Sequence, residues 1–229
     1  MGLRTVLRKW LKYERPSEFL NECYSQEGED AILNRIFHDK ANGFFIDIGA
    51  HHPLRFSNTY KFYKKGWRGI NVDAMPGSMA IFKQLRPLDI NLEIPVSDKK
   101  ERLPFYIFKE GALNTLLKSH ADTLVAKGHR VEKMIDIETD TLLNILDKYM
   151  PTNTVIDFMS IDAEGFDFNI LRSNDWSKYR PNIVLIESEP DPDFFLTSEL
   201  YRYMQANDYS FYAKSFKTFF VKDNNYQPI

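Results

Sequence analysis

The chain has a single cysteine, Cys23, which excludes a disulfide framework and any cysteine-rich zinc site. A lone thiol fits a reducing compartment. No apolar run approaches the ~20 residues that a helical membrane span needs, and the N-terminus lacks the long apolar core of a secretory signal. A cytoplasmic protein is therefore expected. Basic excess is missing too: 30 Lys and Arg stand against 32 Asp and Glu, a formal net charge of -2, with a pI near 6.2. That balance argues against nucleic acid and other long polyanions as partners. There is no internal repeat and no low-complexity segment, so the 229 residues fit one large α/β domain with a full core.

Glycine is sparse at the place where one ligand class would demand it. Residues 43–49, Gly43-Phe-Phe-Ile-Asp47-Ile-Gly49, read as an apolar strand ending in an acid and one glycine. The run from Gly69 to Pro76 repeats the pattern with Asp73 as its acid. Two such strands mark a nucleoside-binding α/β sheet. A dinucleotide site needs three glycines after its first strand, so that backbone can approach a pyrophosphate at a helix N-terminus. Here the loop continues Ala50-His51-His52-Pro53, and the phosphate cradle is missing. S-Adenosylmethionine (SAM) is a nucleoside ligand without phosphate. It needs only the tight turn at Gly49 and an acid for the ribose hydroxyls, which Asp73 supplies. The competing reading is two ordinary buried strands ending in helix-capping aspartates.

The first residues differ in character. Arg4, Arg8, Lys9, Lys12 and Arg15 stand against Glu14, with Leu3, Val6, Leu7, Trp10 and Leu11 at helical spacing. Residues 1–22 thus read as a basic amphipathic helix and link. Its apolar stripe packs on its own domain or on a sister subunit, as in a homo-oligomer, or lies on an anionic membrane surface. Residues 23–229 read as the domain itself.

Periodicity and breakers predict a helix over 27–38, strands at 43–48 and 68–73, and a helix from Ser57 to Lys65 ended by Gly66. A further helix opens at Pro76. Residues 90–97 form a third strand in which Pro95 demands an edge or a bulge. Strands are also expected at 102–108 and 131–138. Between them, 109–130 lacks a clear period and is a candidate lid or substrate loop. A helix over 140–149, strands at 155–161 and 182–187, a helix over 194–206 and a hairpin of 208–213 with 216–222 complete the pattern.

These pieces together resemble the FkbM-type SAM-dependent methyltransferases. The resemblance rests on Tyr24-Ser-Gln-Glu-Gly-Glu-Asp30, Asp47-Ile-Gly-Ala50, Ser57-Asn-Thr59, Gly66-Trp-Arg-Gly-Ile-Asn-Val-Asp73, Val96-Ser-Asp98 and Ile161-Asp-Ala-Glu-Gly165. It covers roughly residues 23–222. It implies a Rossmann-like class I methyltransferase fold: a seven-stranded, mostly parallel sheet with an antiparallel C-terminal strand and helices on both faces. It also implies, as usual in the family, O-methylation of small molecules or sugars. This chain departs at His51, where many relatives have asparagine, at Pro53, where they have a small residue, and at Asp73, where they have glutamate.

Methyl transfer from a sulfonium is an in-line displacement, so holding nucleophile, methyl and sulfur collinear is the main task. Proton removal from a hydroxyl acceptor is the second. His52, after the Gly49 turn and with a pKa suited to neutrality, is the leading base. The alternative is that it only hydrogen-bonds the loop or the cofactor. Asp162 ends the strand beside the expected methyl group and either orients the cofactor's ammonium, accepts a proton or caps a helix. Glu164 is expected to favour the following helix dipole. Glu187, Glu189, Asp191 and Asp193 offer oxygen ligands for Mg²⁺ together with Asp162, but a solvated acidic loop is the preferred reading and no metal is assigned. For the cofactor, Gln26 and Asn58 suit the methionine carboxylate, and Ser97 with Asp98 the adenine amine. Asp47, Gly49, His51, Asp73, Ala74 and Asp162 complete the expected binding set. The expectation is thus a SAM-dependent O-methyltransferase acting on a sugar or sugar nucleotide. N-methylation of a small amine and a catalytically idle SAM-fold binding or scaffold subunit are the alternatives.

Overall fold

The computed structural model describes residues 20–188 and 191–227. The amphipathic stretch at 1–15 and Glu189 lie outside the described residues. In chain order the elements are α1 (Glu29–Ile36), β1 (Phe44–Ile48), α2 (Tyr60–Lys64), β2 (Arg68–Asp73), α3 (Met79–Leu85), β3 (Ile90–Glu93), β4 (Val96–Ser97) and β5 (Arg102–Phe108). There follow α4 (Lys118–Ala126), β6 (Val131–Glu138), β7 (Asp140–Thr141), α5 (Leu142–Tyr149), β8 (Phe158–Ile161), α6 (Asp167–Arg172) and β9 (Ile183–Glu187). The chain ends in α7 (Pro192–Thr197), α8 (Glu199–Ala206), β10 (Tyr209–Lys214) and β11 (Thr218–Asp223).

Seven strands form one sheet in the order β10-β11-β9-β8-β1-β2-β3. β1 pairs in parallel with β2 on one side and with β8 on the other, so the strand order reverses between β1 and β8. β11 runs antiparallel to both β9 and β10. The expected terminal hairpin is therefore present, its last strand inserted one place inside the sheet edge.

Burial on both faces explains why the central strands read as continuous apolar runs. Successive side chains alternate: Phe45, Phe158, Leu185 and Phe220 pack on one face with Leu33 of α1 and Phe62 of α2. Ile46, Met159, Ile186 and Val221 pack on the other with Ile145 of α5, Ile170 of α6 and Met204 of α8. Trp67 is 1% exposed and packs edge-on or tilted against Phe37, Phe62 and Phe158.

Two expected elements are divided. The strand expected at 90–97 breaks at Pro95: β3 ends at Glu93 on the sheet edge, and Val96–Ser97 leaves to pair with Asp140–Thr141, since proline gives no ladder donor. The helix expected at 194–206 breaks at Ser198, whose extended backbone ends α7 and whose hydroxyl accepts the Tyr201 N–H at 3.0 Å to start α8. The stretch from 109 to 130 is more regular than its sequence suggests, holding a 3-10 turn at Gly111–Leu113 and α4. Its neighbours β5 and β6 form an antiparallel hairpin separate from the main sheet. No helix among the described residues is long and apolar enough to cross a membrane.

Candidate active-site cleft

The carboxyl ends of β1, β2, β8 and β9 border one cleft of about 830 Å³, lined among others by Gly49, Asp73, Asp162 and Glu187. That volume suits a small-molecule site, and the cleft stands where the strand order reverses, as ligand sites in open α/β sheets do. The 109–130 stretch forms part of its wall through residues 109–116, His120, Leu124 and Lys127.

Gly49 is dictated by backbone crowding. Its φ is +79°, and a Cβ there would sit 1.7 Å from the Asp162 carbonyl oxygen. The turn closes because the Gly49 and Ala50 N–H groups both donate to the Val72 carbonyl, at 2.9 and 3.0 Å, while Asp162 N–H donates to Ile48 O at 3.0 Å. Three strand ends are thereby locked together beneath the cleft. The Asp73 carboxylate accepts the His51 N–H at 2.9 Å through Oδ2 and the Met75 N–H at 2.8 Å through Oδ1. Each oxygen keeps acceptor capacity for a ligand hydroxyl. Burial raises the Asp73 carboxyl, and these two backbone donors partly offset it.

His51 lies in the left-handed region at φ 50°. Its Nε2 is buried without a hydrogen-bond partner among the described residues, a costly state that a ligand atom would relieve. Burial also lowers its basicity, against a smaller opposing pull from Asp73. Asn58 Nδ2 donates to Ser160 Oγ at 2.9 Å, and both residues line the cleft with Gln26, Asp47 and Ala74. Ile94, Val96, Phe105, Ile107 and Leu116 add an apolar wall.

The other end is acidic. Ligand oxygens of Asp162, Glu164 and Glu187 lie within 4.8 Å of one another. Asp162 is the most exposed of the three, yet the concave cleft crowds protein around its carboxyl. That loss of water raises its pKa well above the usual range, and Glu187, Glu164 and Asp167 raise it further. Burial followed by the Glu187 and Asp167 charges pushes Glu164 up to about 8, and burial with Glu187 pushes Asp167 up to about 7. Carboxylates this close cannot all ionise at neutrality. Two basic groups touch the cluster: His120 Nε2 is 3.2 Å from Glu164 Oε2, and Lys217 Nζ is 3.2 Å from Glu187 Oε1.

Three expected site residues are not brought to this cleft. His52 is absent from its lining, and its Nδ1 accepts the Leu54 and Arg55 N–H groups at 3.1 and 3.0 Å, which shapes the loop. Ser97 is wholly buried in β4, and Asp98 pairs with Arg172 at 3.4 Å. Val96 of β4 stays in the lining, whereas the next residue, Ser97, is buried outside it. Glu164 does more than flank a helix start, since it joins the acidic cluster. Lys217 and the wall from β5 went unforeseen: Lys217 sits between β10 and β11 with no motif around it, and β5 reads only as a strand.

No curated protein and no solved structure gives a significant match to this chain. The sequence model of the methyltransferase FkbM domain matches residues 47–211, well over half of the chain and spanning the strand ends that build the cleft, and the chain belongs to the FkbM methyltransferase family.

Proposed function

We propose that this chain is a SAM-dependent O-methyltransferase of Rossmann-like class I fold that methylates a hydroxyl of a small polar acceptor, in the class of sugars or sugar nucleotides. The strand order and the reversed β11 support the fold class. The acceptor class follows the usual chemistry of the family. The observation that supports the reading is one cleft lined by the Gly49 turn and the Asp73 carboxylate and also by the acidic group at Asp162, Glu164 and Glu187.

The residues present fit SAM. Asp73 would take the ribose hydroxyls, the Cβ-free turn at Gly49 leaves room, and His51 Nε2 supplies a polar atom in need of a partner. When bound, SAM supplies an electrophilic methyl group on a sulfonium. Asp162, at the end of β8, would take the proton of the acceptor hydroxyl, whose oxygen would receive the methyl carbon as its bond to sulfur breaks and the neutral thioether leaves. The causes that raise its pKa make its ionised form a stronger base than an ordinary carboxylate, with the raised carboxyl of Glu164 beside it. His52 keeps the loop geometry instead. The trio serves as acid–base machinery rather than as a magnesium site, because His120 and Lys217 already bring positive or donating groups to Glu164 and Glu187.

The same acidic end favours one second reading, in which it holds an ammonium and the acceptor is an amine. Calorimetry with SAM, followed by an acceptor screen read as a mass gain of one methyl, tests both. SAM should bind and a hydroxyl compound should gain the methyl. Absence of binding at millimolar SAM overturns the enzyme reading and leaves a scaffold subunit. Methylation of amines alone overturns the O-methyl assignment.

A further inference from the structure

Behind Asp47, on the wall of the cleft, stands a chain of buried groups that the proposed reaction does not use. Thr59 Oγ1 donates to Asp47 Oδ2 at 2.8 Å and accepts from Arg86 Nη1 at 2.9 Å. Arg86 and Thr59 have no exposed surface. Arg86 Nε donates to Asp89 Oδ2 at 2.8 Å, and the guanidinium lies against the rings of Phe45, Tyr63 and Phe82. Asp89 Oδ1 accepts the Gly69 N–H of β2 at 3.1 Å.

A guanidinium this deep is unfavourable unless it is paired, and Asp89 pairs it. Its further hydrogen bond to Thr59 is not needed for that neutralisation. A hydroxyl that accepts from a cation while donating to a carboxylate carries the positive potential forward to the carboxylate. Asp47 Oδ1 makes no hydrogen bond to the described residues, so the charge held this way is available to a ligand.

Resting on the reading above, we propose that Arg86 and Thr59 are positioning residues that keep Asp47 ionised and aimed into the cleft, so that the Arg86–Thr59–Asp47 chain sets the affinity for a sulfonium–ammonium cofactor. The charged and polar groups acting on Asp47 are Arg86 and Thr59, which favour its charged form, and Asp89 and Asp73, which oppose it. Burial, the largest influence, leaves its pKa at about 6. Cofactor affinity should therefore fall as pH drops through that value.

The test is the SAM dissociation constant by calorimetry from pH 5.5 to 8.5, with the ¹³C carboxylate titration of Asp47 in the unliganded protein beside it. Thr59→Val keeps the shape and removes the hydroxyl. It should raise the Asp47 midpoint by about one unit and weaken SAM about threefold at pH 6.5, with little change at pH 8.5. Thr59→Ser should restore the wild-type profile, and Asp47→Asn should bind weakly and lose the part of the pH dependence centred near 6. Arg86→Lys, which retains a cation but loses the planar fork, should shift the midpoint in the same direction as Thr59→Val. An unmoved Asp47 titration in both Thr59→Val and Arg86→Lys overturns the proposal, as does a loss of affinity equal at every pH. A shifted titration in a protein that binds no SAM supports the network and overturns only the cofactor reading.

Discussion

Replacing Glu164 by glutamine should stabilise the protein in alkali and do little in acid. Burial with the charges of Glu187 and Asp167 pushes Glu164 from 4.5 up to about 8, against a smaller opposing pull from Lys217. Its folded pKa thus lies above its unfolded one. Between those values the folded state holds a proton that the unfolded chain has released, so this contribution to stability is fully present below pH 4.5 and is lost as pH rises through 8. At about 1.36 kcal/mol per unit the ceiling is about 5 kcal/mol. The side chain is 21% exposed, opens on a solvated cleft and shares its proton with neighbouring acids, so about 2–3 kcal/mol is expected.

Glutamine preserves the volume and the acceptor facing His120 while removing the charge. A chain of this size gains roughly 2–4 °C per kcal/mol. Scanning calorimetry should therefore find the variant melting about 5–10 °C above wild type at pH 8.5 and within about 1 °C of it at pH 4.5. A constant difference across pH would show that Glu164 ionises without hindrance. A variant that melts below wild type at pH 8.5 would show that the ionised carboxylate is a net stabiliser, and the account of the acidic cluster would be wrong.

Asp73→Ala should weaken SAM by about 2–4 kcal/mol by calorimetry, since buried ribose hydroxyls lose their acceptor; unchanged affinity in a folded variant would remove β2 from the ribose site. Asp162→Asn should lower kcat by about 10²-fold to 10⁴-fold with SAM affinity nearly intact, whereas His52→Ala should cost less than about tenfold; the reverse order of effects would return the base to His52. Chelator should leave turnover unchanged, and abolition by chelator with recovery on adding Mg²⁺ would turn the Asp162, Glu164 and Glu187 trio into an ion site. Gly49→Ala should abolish SAM binding and lower the melting temperature, because its Cβ would lie 1.7 Å from the Asp162 carbonyl; near-native binding would mean that the three strand ends yield more than their hydrogen bonds suggest.

The sheet was legible because burial on both faces writes itself into short apolar runs, and the acids at 47, 73, 162 and 187 were legible because they end those runs. Parallel topology then gathers strand ends that lie far apart in sequence, so the cleft residues Asp47, Gly49, Asp73 and Asp162 follow from local pattern plus one topological rule. Side-chain direction inside a turn follows no such rule. His51 and His52 are adjacent and chemically equal, and the left-handed backbone at His51 belongs to the residue whose Nε2 is buried without a partner among the described residues, whereas the His52 ring caps two loop amides. Pro95 announced a break without saying that β4 would pair with β7, an arrangement in which Val96 lines the cleft and Ser97 and Asp98 do not. Long-range ion pairs are the least legible of all. Lys217 reaches Glu187 only because β11 pairs antiparallel with β9, and Arg86, ordinary in a sequence of even charge, becomes significant only once its burial requires an accounting of each polar partner.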